Sequence, residues 1–232
     1  MTAQQHGSNL YRIPRFGGSL FNSYLVRDGG GLTAIDTNMP GSAPGIVRAA
    51  QEIGWPITRI VLTHAHGDHV GSLDALHALV PEAEVLISER ESRLLRGERT
   101  LDAAEQLPGA RLRGGYQTCK TLPTRLLNDG DMVGALRVVS TPGHTPGHLS
   151  LFDPRDGTLI AGDALQTAGG LAASGQMRPL FPLPALATWH APTALESARR
   201  LAELHPARLA AAHGSVLEEP ERALRAVLAR AS

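Results

Sequence analysis

The stretch Ile57-Thr58-Arg59-Ile60-Val61-Leu62-Thr63-His64-Ala65-His66-Gly67-Asp68-His69 decides how this chain is to be understood. It begins as a short apolar run with β-branched residues, the pattern of a buried strand. It ends with three histidines and an aspartate crowded into His64-Ala65-His66-Gly67-Asp68-His69. An extended segment aims alternate side chains the same way, so His64 and His66 share a side, while a helical turn starting at Asp68 and His69 faces a neighbouring point. Imidazole nitrogen and carboxylate oxygen suit zinc and other borderline transition metals. One strand end can therefore feed two metal ions.

Two metals need more ligands than that loop provides, and three further apolar runs end in one. RVVS leads to His144 in TPGH, TLIA leads to Asp163 in AGD, and RLAA leads to His213 in AAHG. Around these motifs, residues 10–36 carry LYRIP, SLFNSYLV and GLTAID, read as antiparallel hairpins. PGIVRAAQEIG reads as a helix opened by Pro44 and stopped by Gly54. HVGSLDALHALV reads as a second helix, with Val70, Leu73, Leu76 and Val80 on one stripe, followed by the strand EVLISE and the polar helix ERESRLLRG. RLLNDGDMV, ALRVVSTPG, HLSLFD and TLIAG then restart the strand pattern, with turns supplied at Asn128-Asp129-Gly130 and from Pro154 to Gly157, and the helices TALESARRLAELHP and EPERALRAVLARA close the chain. Strands followed by helices, twice over, predict an α/β fold: an αββα sandwich of two mixed β-sheets flanked by helices. The expected organisation is one domain over 1–232 in two pseudo-repeated halves, about 1–122 and 123–232. Residues 165–190 stand out as long, apolar and rich in Pro and Gly, and are read as a lid insertion.

Composition narrows the partners. The 232 residues hold 22 Lys plus Arg against 22 Asp plus Glu, a formal net charge of zero, which argues against a nucleic-acid partner. No apolar run reaches the roughly 18 residues of a membrane span, and MTAQQHGSNLYRIPR lacks the apolar stretch of a secretory signal. With a single cysteine, Cys119, the expectation is a cytoplasmic protein acting on a small molecule without a membrane partner, either alone or as a homo-oligomer.

With its four motifs in this order, the chain resembles the metallo-β-lactamase-fold hydrolase superfamily, whose signature is His-x-His-x-Asp-His followed by a His, a Gly-Asp and a terminal His-Gly. The resemblance runs from Asp36 in AIDT to His213 and implies an αββα fold with the site at one end of the sandwich. Carried onto this sequence, it implies that His64, His66 and His144 hold a first metal and that Asp68, His69 and His213 hold a second. Asp163 would bridge the two, and Asp36 would stand behind, orienting a ligand or supporting the loop. The implied cofactor is a pair of zinc ions, with ferrous iron as the alternative. Metal binding lowers the pKa of water from 15.7 to about 7, so a metal-bridging hydroxide would be available as nucleophile. The implied activity is hydrolysis of an ester, thioester or lactone carbonyl in a small, partly apolar substrate, with Asp68 and Asp163 as catalytic residues. Two divalent cations outweigh the two carboxylates among the ligands, so the loaded site favours an anion.

Departures from known branches narrow this further. Lactamase branches carry Cys or Ser where Asp163 stands, and acyl-homoserine lactonases commonly carry Tyr where Gln166 stands. Glyoxalase II-like thioesterases use a basic C-terminal region, whereas His213 is followed by Glu218, Glu219 and Glu221. The alternatives are a mononuclear iron persulfide dioxygenase and a non-catalytic ligand-binding protein on the same fold; the complete second ligand set favours the binuclear hydrolase over both. In the 165–190 segment, Leu171, Met177, Leu180, Phe181 and Trp189 are read either as the lining of an apolar pocket under a lid or as packing at the sandwich edge or a dimer contact, and His190 as a residue able to reach substrate.

Overall fold

The structure, a computed structural model, describes residues 2–16, 18 and 20–229. Arg230 and Ala231, at the end of the helix read from EPERALRAVLARA, lie outside the described residues. The chain forms two compact units, Met1–Gly97 with Tyr116–Leu127, and Glu98–Gly115 with Asn128–Ser232.

The first unit is built on a seven-stranded mixed sheet in the order β1 (Gln4–His6), β2 (Leu10–Pro14), β3 (Asn22–Asp28), β4 (Gly31–Ile35), β5 (Ile57–Val61), β6 (Glu84–Ser88) and β7 (Arg125–Leu127). Strands β1 to β4 run antiparallel, β2 to β4 as the hairpin reading of residues 10–36 expects and β1 as an added edge strand, and β4 to β7 run parallel. Every residue of β4 is buried, which is why GLTAI reads as a continuous apolar run rather than an alternation. The β4–β5 crossover is α1 (Ala43–Ile53), with Pro44 in its first turn and Gly54 ending it at φ 86°.

The helix expected over 69–80 is two: α2 (Gly67–Val70) and α3 (Leu73–Leu79). Ser72 breaks it by bonding elsewhere. Its hydroxyl donates to Met39 O and accepts from Ser42 N–H, and its own N–H goes to Thr37 Oγ1. The stripe survives the break, since Val70, Leu73 and Leu76 are fully buried. Glu89–Leu95 forms α4, as read.

The second unit holds a six-stranded mixed sheet. In chain order its strands are β8 (Met132–Val133), β9 (Leu136–Ser140), β10 (Leu149–Asp153), β11 (Thr158–Gly162), β14 (Arg208–Ala211) and β15 (Leu217–Glu218). RLLNDGDMV divides at the turn read at Asn128-Asp129-Gly130: its RLL closes the first sheet beside β6 and its MV begins the second, with Gly130 at φ 84°. The expected loop 165–190 is also more ordered than its composition implies. It contains a two-stranded hairpin, β12 (Leu165–Gln166) with β13 (Ala172–Ala173), and the short helix α5 (Leu183–Leu186). Gly169 and Gly170, at φ 69° and 107°, make that hairpin turn. Helices α6 (Ala191–Ala202) and α7 (Glu221–Ala229) complete the unit, with Ala198, Leu201 and Leu224 packed on Leu159, Leu165 and Leu209. Among the described residues, no helix is long and apolar enough to cross a membrane.

One close approach in this unit sits beside a predicted ligand. Gly143, at φ 137°, crosses the first turn of α6 so tightly that a Cβ there would fall 2.2 Å from Ala194 Cα. The crossing is tied by His190 N–H to Gly143 O at 2.9 Å and by Ser197 Oγ to Pro142 O at 2.6 Å. Gly143→Ala combines backbone strain with overpacking and is expected to cost about 2 kcal/mol or more, lowering Tm by roughly 4–8 °C. Thermal unfolding of that variant checks the crossing, and an unchanged Tm contradicts it.

Candidate metal centre

His64, His66, Asp68 and His69 belong to the first unit; His144, Asp163 and His213 belong to the second. Each set sits at strand ends, where a buried strand fixes the backbone and the following turn presents the side chains.

In the first unit, the chain leaves β5, bends at Thr63 and is extended at His66, at φ −74° and ψ 150°, before Gly67 starts α2. That geometry brings all four side chains together. His64 Nε2 lies 3.1 Å from His66 Nδ1, His69 Nε2 lies 3.8 Å from Asp68 Oδ2, and the His64 and His69 rings are 3.9 Å apart. The three histidines are buried, whereas the Asp68 side chain keeps 28% of its surface exposed.

Asp36 holds this cluster from behind. It follows β4 in a left-handed conformation, φ 58°, which costs a non-glycine residue on the order of 1 kcal/mol. In return its carboxylate accepts Thr63 N–H on Oδ1, and both Thr63 Oγ1–H and His69 Nδ1 on Oδ2, each at 2.8 Å. A carboxylate only accepts, so His69 carries its proton on Nδ1. Thr63 has likewise committed its single proton, so its oxygen, 3.0 Å from His64 Nδ1, must accept there. Both imidazoles are thereby left with their lone pairs on Nε2, the atom a metal takes. Between His64 and His66, Ala65 N–H donates to the buried Glu91 carboxylate at 2.9 Å. Its carbonyl accepts from Gln117 N–H at 3.2 Å, and the Tyr116 ring packs edge-on against His66 at 4.5 Å.

In the second unit, two histidines converge on one carboxylate oxygen. Asp163 Oδ2 lies 3.3 Å from His144 Nε2 and 3.2 Å from His213 Nε2. All three residues are buried. The Asp163 backbone N–H donates to His148 Nε2 at 3.0 Å, so His148 carries its proton on Nδ1, 2.8 Å from Thr141 Oγ1.

These donor sets fit a transition metal. Ligands about 2.0–2.1 Å from a tetrahedral zinc stand roughly 3.3 Å from one another, close to the spacings within each set. Nitrogen and carboxylate donors of this kind suit zinc and iron rather than magnesium or calcium, which prefer oxygen.

The residues expected to contact substrate are placed differently from one another. Phe181 is buried with its ring 5.1 Å from His213, whereas Met177 and Leu180 lie at the surface. Trp189 N–H donates to His144 O at 2.8 Å, and His190 caps α6, its Nδ1 accepting from Thr193 N–H. Trp189 and His190 line a cavity of about 400 Å³ with Pro108, Arg113, Leu186 and Thr188. Gln166 is buried, its amide donating to Ala168 O and Phe181 O, so it braces the segment internally. Cys119 is buried, and its thiol is pushed up to about 11 by desolvation and by the nearby Asp74 charge, which leaves it inert at neutral pH. Thr63, Glu91, Tyr116, Ser174 and Thr188 went unread as site residues; only Thr63, adjacent to His64, carried a positional signal.

Residues 18–213 match the sequence profile of the metallo-beta-lactamase superfamily. The chain belongs to that superfamily. Its two mixed sheets flanked by helices are those of the superfamily's α/β sandwich, and the superfamily is one of metal-dependent hydrolases. The chain is 47% identical over 211 residues to the uncharacterized protein YobT of Bacillus subtilis (strain 168), covering 90% of each. It is 31% identical over 191 residues to a hydroxyacylglutathione hydrolase of Cereibacter sphaeroides, covering 79% of this chain but only 58% of that enzyme. Among solved structures, it resembles TTHA1623 in a di-iron-bound form with a TM-score of 0.66 and 28% identity, covering 90% of this chain and 96% of that one.

The Asp36 network predicts that Asp36→Asn weakens metal binding about 10- to 100-fold, because the fold tolerates Asn at a left-handed position while the charge behind His69 is lost. Competition with a chromophoric chelator measures it, and wild-type affinity in the variant contradicts the assignment.

Proposed function

We propose that the seven side chains hold two divalent metals, and that the protein hydrolyses a thioester or related ester or lactone of a small, partly apolar acyl group. In this reading His64, His66 and His144 take one metal, Asp68, His69 and His213 take the other, and Asp163 serves both. The observation that carries it is the tautomer pattern: the groups behind His64 and His69 claim their Nδ1 protons and leave Nε2 lone pairs among other ligand atoms, an arrangement that favours a bound cation. Bound divalent metals supply Lewis acidity and water ionised near neutral pH. The protein's own residues do the rest. Asp36, Thr63 and His148 hold the ligands in register, and the part-exposed Asp68 carboxylate is placed to exchange a proton with solvent. The cavity beside Trp189 and His190 takes the acyl chain within one residue of the His144 backbone contact.

Thioester specificity is favoured by the likeness to hydroxyacylglutathione hydrolase, an enzyme of which this chain spans little more than half. Zinc is the metal proposed. Iron is the second reading, favoured by the di-iron form of TTHA1623, and that precedent also favours two metals over a mononuclear dioxygenase site.

A panel of thioesters, esters and lactones with the metal-loaded protein tests the activity. Asp163→Ala is expected to lower kcat/KM at least about 10³-fold, equivalent to about 4 kcal/mol of transition-state stabilisation. Trp189→Ala is expected to raise KM for longer acyl chains with little change for acetyl. Wild-type rates in the Asp163 variant overturn the reading.

A further inference from the structure

Two proposed ligands, His144 and Asp163, are joined by one hydroxyl. Ser174, immediately after β13, is buried, and its Oγ donates to the Asp163 backbone carbonyl in a short hydrogen bond. The same oxygen lies 3.2 Å from His144 Nδ1. A carbonyl has no proton to give, so the only Ser174 proton is committed to Asp163. The oxygen has only lone pairs left for His144, and Nδ1 must carry the imidazole proton. Thr188 repeats the constraint. Its proton goes to Pro184 O at 2.7 Å, and its oxygen lies 3.4 Å from the same Nδ1. Two hydroxyls, each committed to a carbonyl, thus present acceptors to one ring nitrogen.

The consequence falls on the other nitrogen. With its proton on Nδ1, His144 turns an Nε2 lone pair toward Asp163 Oδ2 at 3.3 Å. A neutral imidazole with the opposite tautomer would donate from Nε2 to that carboxylate and satisfy the pair without a metal. Ser174 removes this option. The hairpin that delivers Ser174 is also pinned beside Asp163, because Ser174 N–H donates to Ala164 O at 3.1 Å. The β12–β13 hairpin leaves the chain at the aspartate and returns to it.

We propose that Ser174 is a positioning residue for metal binding, selecting the His144 tautomer that offers Nε2 to a metal and at the same time anchoring the Asp163 backbone. This rests on the reading of His144 and Asp163 as ligands. Loss of the hydroxyl lets the His144 proton move to Nε2 and bond Asp163, so that a metal must displace that bond to enter. Metal affinity then falls by the 10- to 100-fold typical of lost supporting contacts.

Long-range proton–nitrogen NMR on metal-free, histidine-labelled wild-type protein tests the first step, with His144 assigned by its loss in His144→Gln. The expected result is the Nδ1–H form; a proton on Nε2 overturns the proposal whether or not any variant folds. In Ser174→Ala the His144 signals are expected to shift toward the Nε2–H form, and chelator competition to give a Kd 10- to 100-fold higher. Unchanged tautomer and affinity in a folded variant overturn the role of Ser174 alone. Failure of the wild-type protein to bind metal in the same assay overturns instead the reading of His144 and Asp163 as ligands.

Discussion

A neutral imidazole has one ring proton, and the group behind it decides which nitrogen keeps the lone pair. Asp36 claims the proton of His69, Thr63 that of His64, and Ser174 with Thr188 that of His144. The ring is buried in each case, so water cannot settle the choice instead. The fold serves this constraint directly. Asp36 accepts a left-handed backbone to bring its carboxylate under Thr63, and Gly143 passes so close to Ala194 that no side chain is tolerated.

The cost of these arrangements is borne by burial around them. Glu91 is a fully buried carboxylate, expensive to desolvate unless hydrogen-bonded, and it receives the N–H of Ala65 between His64 and His66. The fully buried strands β4 and β11 supply rigid apolar frames, so the turns that follow them can carry unusual polarity. Flexibility at those turns would let histidines exchange tautomers or find partners among themselves.

The clustering of the candidate donors within each unit was legible in the sequence because chemistry and spacing coincide: His64, His66, Asp68 and His69 fall at a strand end, and His144, Asp163 and His213 each follow an apolar run. The strands of residues 10–36 were legible for the same reason, since period and glycine punctuation agree, whereas the short polar strand β1 carries no apolar run to mark it. Legibility failed where a tertiary partner overrode a local pattern. Ser72 ends a helix whose stripe continues, because Met39, Thr37 and Ser42 take its hydrogen bonds. RLLNDGDMV shows its turn through Asn128-Asp129-Gly130, but β-propensity does not reveal that the residues on either side of it join different sheets. Ser174 and Thr188 were invisible because they meet His144 from 30 and 44 residues away, and nothing local marks a serine or threonine as the acceptor for a particular ring.

Superfamily membership, a nitrogen-rich donor set and tautomers that leave Nε2 lone pairs facing other candidate donors converge on a metal-dependent hydrolase. Elemental mass spectrometry on protein purified without added metal or chelator, after growth with zinc and iron supplied equally, tests this most directly. The account predicts about two divalent metal ions per chain, predominantly zinc. A limit of one ion per chain under metal-replete conditions would contradict it.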